Sequence, residues 1–346
     1  MRCRSCVVTL LAMGLVTASD LSANDSPPSS ESLRAAIERS IALLETGARG
    51  SADQRTCFTC HHQALPILAL AEARERGFTV DPDNFQRQLA HTAAHLERGR
   101  KKYLEGCGQG GKVITAGYAL WTLEAGEQNP DETTAAVTHF LLEYQQEADH
   151  WSHPGNRPPA SGSDFTATYI ALRGLAVFGT EEQQPEIEAR TLQVCNWLLS
   201  ESPRDTEDRV FRLWSLPYVD VDEKTRQQAI AELIDSQHDD GGWAQTADGE
   251  SDAYATGTVL VVLERSGDLS NNHPAVRRGM RYLVDTQLED GSWHVVTRAK
   301  PFQTYFESGY PHGKDQFISI TASSWATLAL LLTLPEAATS DARSDP

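Results

Sequence analysis

The sequence predicts an all-α protein, built as a ring of six helical hairpins. Apolar residues recur at helical spacing in most segments, and strand-like alternation is scarce. A repeat of about 45 to 55 residues runs along the chain, a period typical of stacked supersecondary units. Each repeat holds two helices with one apolar face that they cannot bury alone. We therefore expect the units to stack, and six hairpins are enough to close a ring.

The chain opens with a predicted secretory leader over residues 1–23. Arg2 and Arg4 precede an apolar run from Val7 to Ala18, which is too short to span roughly 30 Å of hydrocarbon. Cleavage would leave a secreted or periplasmic protein without a stable membrane anchor. Three further segments are expected in order: a linker (24–32), the toroid domain (33–334) and a disordered tail (335–346).

Charge and cysteine content restrict the partners. The chain has 346 residues, with 30 basic and 48 acidic side chains and a formal net charge of −18. So acidic a surface argues against nucleic acid and anionic membrane as partners.

The cysteines beyond the leader are too few for a disulfide scaffold but enough for one local site. They are Cys57, Cys60, Cys107 and Cys195.

The hairpins can be assigned from the end of the chain backwards. In the last two, a first helix ends in QHDDGGW (237–243) or QLEDGSW (287–293), and a second helix opens with small residues, ATGTVL or TASSWA. Small residues suit a helix crowded on both sides, so we place the second helix of each pair inside the ring and the more polar first helix outside. An open solenoid is the alternative, although nothing marks polar capping repeats at the ends. The four earlier pairs, in chain order, have second helices that contain HHQALPILALAEARERG, GGKVITAGYALWTLEAG, SDFTATYIALRGLAVFG and DTEDRVFRLWSL.

These residues resemble the prenyltransferase and squalene-oxidase repeat superfamily. The two segments 237–243 and 287–293 match its Q-x-x-D-G-x-W core, and DFTATYIALRGL and TASSWATLALLL are similar to its inner helices. The resemblance covers about residues 33 to 334. It implies an (α/α)6 toroid of the terpenoid cyclase and protein prenyltransferase type, with a small-molecule or apolar substrate in the toroid cavity. The motif is specific for the fold and weak for the reaction.

A functional site is expected where the inner helices begin. If these helices run parallel, their N-terminal ends share one rim of the ring, where free N–H groups favour anionic ligands and thiols of low pKa. The candidate residues collected there are Cys57, Cys60, His61, His62, His150, His153, Asp164, Asp205, Glu207, Asp208, Asp252, His312, Lys314 and Asp315.

The stretch CFTCH, Cys57 to His61, matches the Cys-x-x-Cys-His pattern of c-type haem attachment. Two thiols three residues apart can both bind the haem vinyl groups while the next imidazole ligates the iron. This predicts an exported toroid with one haem c bound by Cys57, Cys60 and His61, serving electron transfer or a redox reaction with a partner protein. Candidates for the second axial ligand are His150, His153 and His312.

Three other interpretations of this cluster stay open. Cys57 and Cys60 can form a local disulfide in an oxidising compartment. Zinc or another transition metal can bind the thiolates and imidazoles, with His61, His312 and His153 as ligands, in a terpene cyclase-like or prenyltransferase-like enzyme or a lipid-binding module. The resemblance to protein prenyltransferases implies a zinc site of Asp, Cys and His in the later repeats, where this chain offers Asp252, His312 and Asp315 and no cysteine. The third interpretation is a scaffold that binds another exported protein.

Cyclase chemistry has its own signature. Toroids of the squalene-hopene type protonate an alkene with a D-x-D-D acid at the start of an inner helix. The corresponding position here reads SGSD, which contains only Asp164, and the near match DVDE (220–223) precedes an outer helix. The sequence therefore disfavours alkene protonation by a D-x-D-D acid. It does not decide whether the chain is an enzyme. A long insert, Thr297 to Gln316, is expected to contact substrate. The catalytic candidates are Asp164, His312, Lys314 and Asp315.

Overall fold

The structure is a computed structural model that describes residues 27–152, 155, 157–300 and 304–334. The predicted leader and tail lie outside these residues. The first helix begins at Ser30, capped by Ser29, rather than at the expected domain start of 33. The helices are α1 (Ser30–Gln54), α2 (Leu65–Glu75), α3 (Pro82–Leu104), α4 (Lys112–Ala125), α5 (Glu132–Glu143), α6 (Asp164–Phe178), α7 (Gln184–Ser200), α8 (Thr206–Ser215), α9 (Glu223–Asp235), α10 (Ala253–Ser266), α11 (Pro274–Thr286) and α12 (Gln316–Thr333). Two short antiparallel strands, β1 (Trp243–Ala244) and β2 (Ser251–Asp252), precede α10.

The even-numbered helices form a closed inner ring. Each packs on the next in order, and α12 packs back on α2. Side chains tie the last repeats to the first: the Gln287 amide donates to the carbonyl of Ala36 at 2.8 Å, and Thr327 Oγ1 donates to Ser40 Oγ at 2.7 Å. The predicted (α/α)6 toroid is confirmed, and the open solenoid is not the architecture of the described residues.

The burial of the helices follows their predicted positions. Every residue of α10 from Ala253 to Leu263 is buried, whereas only three residues of α9 are buried. A methyl group built on Gly257 would lie 2.7 Å from the backbone nitrogen of Ala326, so the small residue allows α10 to approach α12 closely. The segment Gly313–Thr333, which contains α12, is long and apolar enough to cross a membrane. However, 83% of its most apolar stretch is buried inside the protein. Helix α12 is a core helix of the toroid.

Tryptophans anchor the outer helices to the inner ones. The indole nitrogens of Trp151, Trp243 and Trp293 donate to the carbonyls of Leu141, Leu233 and Leu283, ten residues earlier in the outer helix, at 2.7–2.8 Å. Their backbone N–H groups donate to a Thr or Ser hydroxyl of the following inner helix at 2.9–3.2 Å. Each indole nitrogen is therefore satisfied while its ring is buried between the helices.

Aromatic rings fill the middle of the ring. Trp121, Trp214, Trp325 and Tyr169 lie with centroids 5.0–6.1 Å apart, and we call these four residues the aromatic plug. Tyr169 and Trp325 are fully buried. Trp121 and Trp214 lie in the C-terminal halves of α4 and α8, away from the rim where the inner helices begin.

Candidate functional site

A cavity of about 290 Å³ opens at this rim. Its wall combines the start of the first inner helix (Cys60 and His61), the segment before α6 (Arg157), and the start of α12 (Phe317). The long insert supplies much of the rest, including Thr297 and Phe306. The described part of the insert therefore lines the cavity, and its contact with a substrate stays a prediction. Most of the lining is apolar, as in small-molecule sites with few polar groups.

A π-helical turn, Cys60–Ala64, sets up the histidines beneath the cavity. Thr59 is extended and caps the turn, and its hydroxyl accepts from the His62 N–H at 3.3 Å. Thr59 in turn donates from its backbone nitrogen to the Gln63 side chain at 3.0 Å. Such turns are rare and frequently occur at functional sites. Here the turn presents His61 to the cavity and buries His62 behind it.

The two histidines form part of a directed hydrogen-bond chain. Ser308 donates from its backbone nitrogen to Gln316 Oε1 at 3.1 Å, and its hydroxyl donates to the same oxygen. Ser308 Oγ therefore accepts from His62 Nε2, 2.9 Å away. Burial, with a smaller effect of the nearby Arg157, lowers the pKa of His62 to about 3, so this ring is neutral and its Nδ1 is an acceptor. We call this chain the histidine relay.

The relay determines the tautomer of His61. Its Nδ1 faces His62 Nδ1, and must donate because the latter accepts. Burial lowers the pKa of His61 well below its usual value, helped by His62 and Arg157, so this ring is neutral as well. The Nε2 lone pair is then free to accept, and the Arg157 guanidinium lies 3.4 Å from it. His61 consequently brings an acceptor, not a charge, to the cavity wall.

A second polar cluster lies at the start of α8, where the chain reads Asp205-Thr206-Glu207-Asp208. Asp205 caps the helix by accepting from the Asp208 N–H at 3.1 Å. Asp208 accepts from Ser163 Oγ at 2.6 Å and pairs with Arg204 at 2.9 Å. Both outer acids are therefore engaged with neighbouring groups, whereas the middle acid, Glu207, points into the ring.

Glu207 is 3% exposed. One of its oxygens accepts from Thr166 Oγ1 of α6 at 2.9 Å, and the other lies 3.1 Å from the hydroxyl of Tyr254 of α10. Burial raises the pKa of Glu207 to about 8, an effect that Asp205 and Asp208 reinforce and that the hydrogen bonds partly offset. The carboxyl is thus mostly protonated at neutral pH.

Cys60 lines the cavity, whereas Glu207 does not. Beyond the dominant effect of burial, the ionised forms of both Glu207 and Cys60 would raise the pKa of Tyr118 and of Tyr254, so these side chains lie in the same part of the interior. Burial raises the pKa of the Cys60 thiol, so the low-pKa thiol expected at the rim does not occur at Cys60.

The sequence places Glu207 on the rim but does not reveal that this side chain is buried. A similarity to the D-x-D-D acid motif could have drawn attention to it, because D-T-E-D at an inner-helix start differs from that motif by one methylene group. Asp164, the acid considered instead, begins α6 with a side chain that is 41% exposed, 3.8 Å from His150, and it does not line the cavity.

The candidates around the insert serve different roles. Lys314 lines the cavity, but His312 and Asp315 do not. His312 Nε2 contacts Ser292 Oγ at 2.8 Å and its ring stacks on His294. Asp315 accepts from the Thr297 N–H at 3.1 Å. The last two candidates thus hold the ends of the insert together, and His153 lies outside the described residues.

The Cys-x-x-Cys-His segment is divided between two environments. Cys60 and His61 line the cavity, whereas Cys57 is exposed and is absent from its wall. Cys57 and Cys60 are both free thiols, without the predicted disulfide. Both ring nitrogens of His61 have neighbours in the hydrogen-bond network. This arrangement does not fit a haem bound by both thiols within the cavity, and covalent haem stays a prediction of the sequence.

Within the part of the chain that the structure describes, no group of three or more His, Cys, Asp and Glu side chains is arranged to hold a metal ion. His61 belongs to the histidine relay, and His312 contacts the Ser292 hydroxyl beside the insert. Asp252, the acid considered for a prenyltransferase-type zinc site, caps α10 by accepting from the Ala255 N–H at 2.9 Å. Metal binding also stays a prediction.

Comparisons with known proteins agree with this fold. The profile of the squalene-hopene cyclase C-terminal domain matches residues 173–344, which include the acidic segment at α8. The squalene–hopene cyclase of Bradyrhizobium diazoefficiens is 30% identical over 119 residues, or 29% of this chain and 17% of that protein. Lanosterol synthase of Saccharomyces cerevisiae is 29% identical over 109 residues, or 31% of this chain and 14% of that protein. The matched segments thus span less than a fifth of either relative.

Solved structures share the fold over most of its length. A type II terpene cyclase from Scytonema superposes with a TM-score of 0.56 and 13% identity, over 88% of this chain and 98% of that one. A possible member of the GH105 family from Salmonella enterica superposes with a TM-score of 0.52 and 13% identity, over 88% and 94%. At such identities the likeness concerns the fold alone. The chain thus has the α/α toroid fold, and its C-terminal part is similar to the squalene-hopene cyclase C-terminal domain.

Proposed function

We propose that this protein is a terpene cyclase-like enzyme, in which Glu207 protonates an apolar substrate seated in the rim cavity. The observation that carries the proposal is the buried carboxyl of Glu207 at the start of an inner helix, whose pKa burial raises to about 8. The family match over residues 173–344 supports it, since that segment contains Glu207. The Scytonema terpene cyclase has been described with geranylgeranyl dihydroxybenzoate as its substrate and merosterolic acid A as its product.

The surroundings of Glu207 suit proton donation. Burial keeps the proton on the carboxyl at neutral pH, so the acid is loaded before a substrate arrives. Thr166 and Tyr254 lie within hydrogen-bond distance of its two oxygens, and hydrogen bonds to a carboxylate stabilise it once the proton has left. The acid is therefore stronger during the transfer than burial alone would allow.

Two aromatic rings of the cavity wall can face the cation that protonation of an alkene would create. Phe306 and Phe317 line the wall, and their ring faces can stabilise positive charge. Glu207 itself does not line the cavity, so the proposed transfer requires the reacting carbon of the substrate to reach inward past the wall near Cys60. In this mechanism the Cys60 and His61 side chains shape the wall.

The experiment is to incubate the purified protein with squalene, geranylgeraniol and a geranylgeranyl-substituted aromatic acid, and to search for cyclised products by mass spectrometry. We expect a product from at least one substrate with the wild type and none with Glu207→Gln. Glutamine has nearly the shape of the neutral carboxyl, so this variant should fold normally. Glu223→Gln, at an exposed acid of α9, is the matched control. Equal product formation by Glu207→Gln and the wild type would refute Glu207 as the proton donor.

A further inference from the structure

The sign of the charge in the cavity is opposite to that of the whole protein. The chain carries a formal net charge of −18. Nevertheless, the charged residues among those lining the cavity are Arg157, Lys300 and Lys314, and no Asp or Glu is part of the described wall. His61 adds no charge, because burial keeps it neutral.

The cations are placed at different depths. Lys300 and Lys314 are exposed at the mouth, whereas Arg157 is partly buried and lies 3.4 Å from His61 Nε2. Its charge also reaches His62 and Cys60: burial lowers the pKa of His62 and Arg157 adds to this, whereas burial raises the pKa of Cys60 and Arg157 partly opposes this. Positive potential therefore extends from the mouth to the inner wall, and apolar cavity walls concentrate it.

Most of the remaining wall surface is apolar. Pro158, Ala160, Phe306, Phe317 and Ile318 line the cavity together with the cations. The cations favour an anionic group on a bound molecule, and these side chains favour an apolar body. The wall is complementary to a molecule that has both an apolar body and an anion.

We propose that the cavity binds an anionic amphiphile, with a carboxylate or phosphate group held by Arg157, Lys300 and Lys314 and an apolar chain against Phe306, Phe317 and Ile318. This deepens the proposed function and rests on it only in taking the rim cavity as the substrate site. Guanidinium and ammonium groups form short, charge-assisted hydrogen bonds with either kind of anion. The acidic remainder of the surface makes the cavity selective, because anions are repelled elsewhere on the protein.

The test is a binding measurement with four ligands that share one apolar chain: farnesoic acid, farnesyl monophosphate, farnesol and farnesylamine. Calorimetry on the full chain should give the acid or the phosphate an affinity at least about tenfold higher than that of the alcohol, with the amine weakest. The two anionic ligands distinguish a carboxylate site from a phosphate site. Higher salt should weaken the anions and leave the alcohol unchanged.

Variants connect the preference to these side chains. Lys300→Gln combined with Lys314→Gln, both at exposed positions, should reduce the anion preference without affecting the fold, and Arg157→Gln should reduce it further while Arg157→Lys keeps most of it. Lys101→Gln, at an exposed lysine of α3, is the control. Equal affinities for alcohol and anion, tighter binding of the amine, or an anion preference that survives both the double variant and Arg157→Gln would overturn the inference.

The outcome can be separated from that of the proposed function. Glu207→Gln should bind the anion as the wild type does, because Glu207 is neutral in both. Anion binding without any cyclised product would support this inference and refute the proposed reaction. Cyclisation of a neutral substrate, together with equal binding of alcohol and anion, would refute this inference and leave the reaction standing.

Discussion

The Tyr254 hydroxyl lies 3.1 Å from Glu207 Oε2 in the interior of the toroid, joining α10 to the neighbouring inner helix α8. Both residues are almost fully buried, at 1% and 3% exposure. A hydrogen bond from the phenol favours the ionised carboxyl, and so lowers the pKa of Glu207 against the upward effect of burial. This hydrogen bond therefore helps to set the pKa of Glu207, the proposed proton donor.

Tyr254→Phe should shift this balance. Without the phenol, we expect the pKa of Glu207 to rise above about 8, so the decline of activity at high pH should move to still higher pH. The maximum rate should fall, because the carboxylate left after proton transfer has lost one donor. The check is the pH profile of kcat/KM for any substrate that the wild type cyclises. Tyr282→Phe, whose hydroxyl bonds the Ser251 carbonyl, is the control, and an unmoved profile in Tyr254→Phe would contradict the assignment.

Glu207 should also make stability depend on pH. Its folded pKa of about 8 lies above the usual 4.5, so between these values the folded state holds a proton that the unfolded state has lost. The stabilisation is complete below pH 4.5 and is lost as pH rises toward 8, with a slope of at most about 1.4 kcal/mol per pH unit. Urea unfolding of the wild type and of Glu207→Gln over this range should show a difference that changes steadily with pH. A constant difference would mean that the folded pKa is not raised.

The histidine relay predicts a cost for removing its central hydroxyl. Ser308→Ala deletes the acceptor of His62 Nε2 and the hydroxyl that donates to Gln316, so buried polar atoms lose partners. We expect a loss of about 1 to 3 kcal/mol in the free energy of unfolding. Ser324→Ala is the matched control, because the Ser324 hydroxyl bonds only the carbonyl of Ile320 in its own helix. Equal losses in the two variants would argue against the relay.

Ring closure can be tested at Gln287. Its amide bonds Ala36 of the first hairpin and Gly291 of its own, so Gln287→Ala should destabilise the fold by about 1 to 3 kcal/mol. Gln228→Ala, at an exposed position of α9, should stay within about 0.5 kcal/mol of the wild type. Denaturant unfolding of both variants compares the two. A negligible effect at Gln287 would show that helix packing alone closes the ring.

The haem prediction has a spectroscopic test. Covalent haem would give a visible band near about 410 nm that survives acid-acetone extraction, after expression with haem-maturation machinery. Because Cys57 lies outside the cavity wall, we expect Cys57→Ser to have the same spectrum as the wild type and to unfold within about 0.5 kcal/mol of it. A band that is present in the wild type and lost in Cys57→Ser would establish haem attachment and favour a redox role.

The fold was predictable because its signals are local. The segments around Gln237 and Gln287 repeat at a fixed place in the hairpin, and small residues such as Gly257 mark the crowded inner helices. Parallel inner helices then brought the site to one rim by geometry alone. The insert from Thr297 was recognised by its length, since two adjacent helices need only a short connection.

The chemistry of the site was less predictable because it depends on distant contacts. The tautomer of His61 is set by His62, and the tautomer of His62 is set by its hydrogen bond to Ser308. His62 and Ser308 are 246 residues apart in the chain. The pKa of Glu207 depends on burial between Thr166 and Tyr254, which no spacing reveals. Cys57 and Cys60 have the spacing of neighbours on a helix, but the turn begins only after the extended Thr59, and this separates them.

The aromatic plug lies apart from the rim cavity, because none of its four residues is among those that line it. One of them, Trp214, instead lines a second cavity of about 290 Å³, together with Pro217 and Val262. Among the described residues the two cavities have no lining residue in common. Substitutions at Trp214 therefore change the second cavity and leave every wall residue of the first in place.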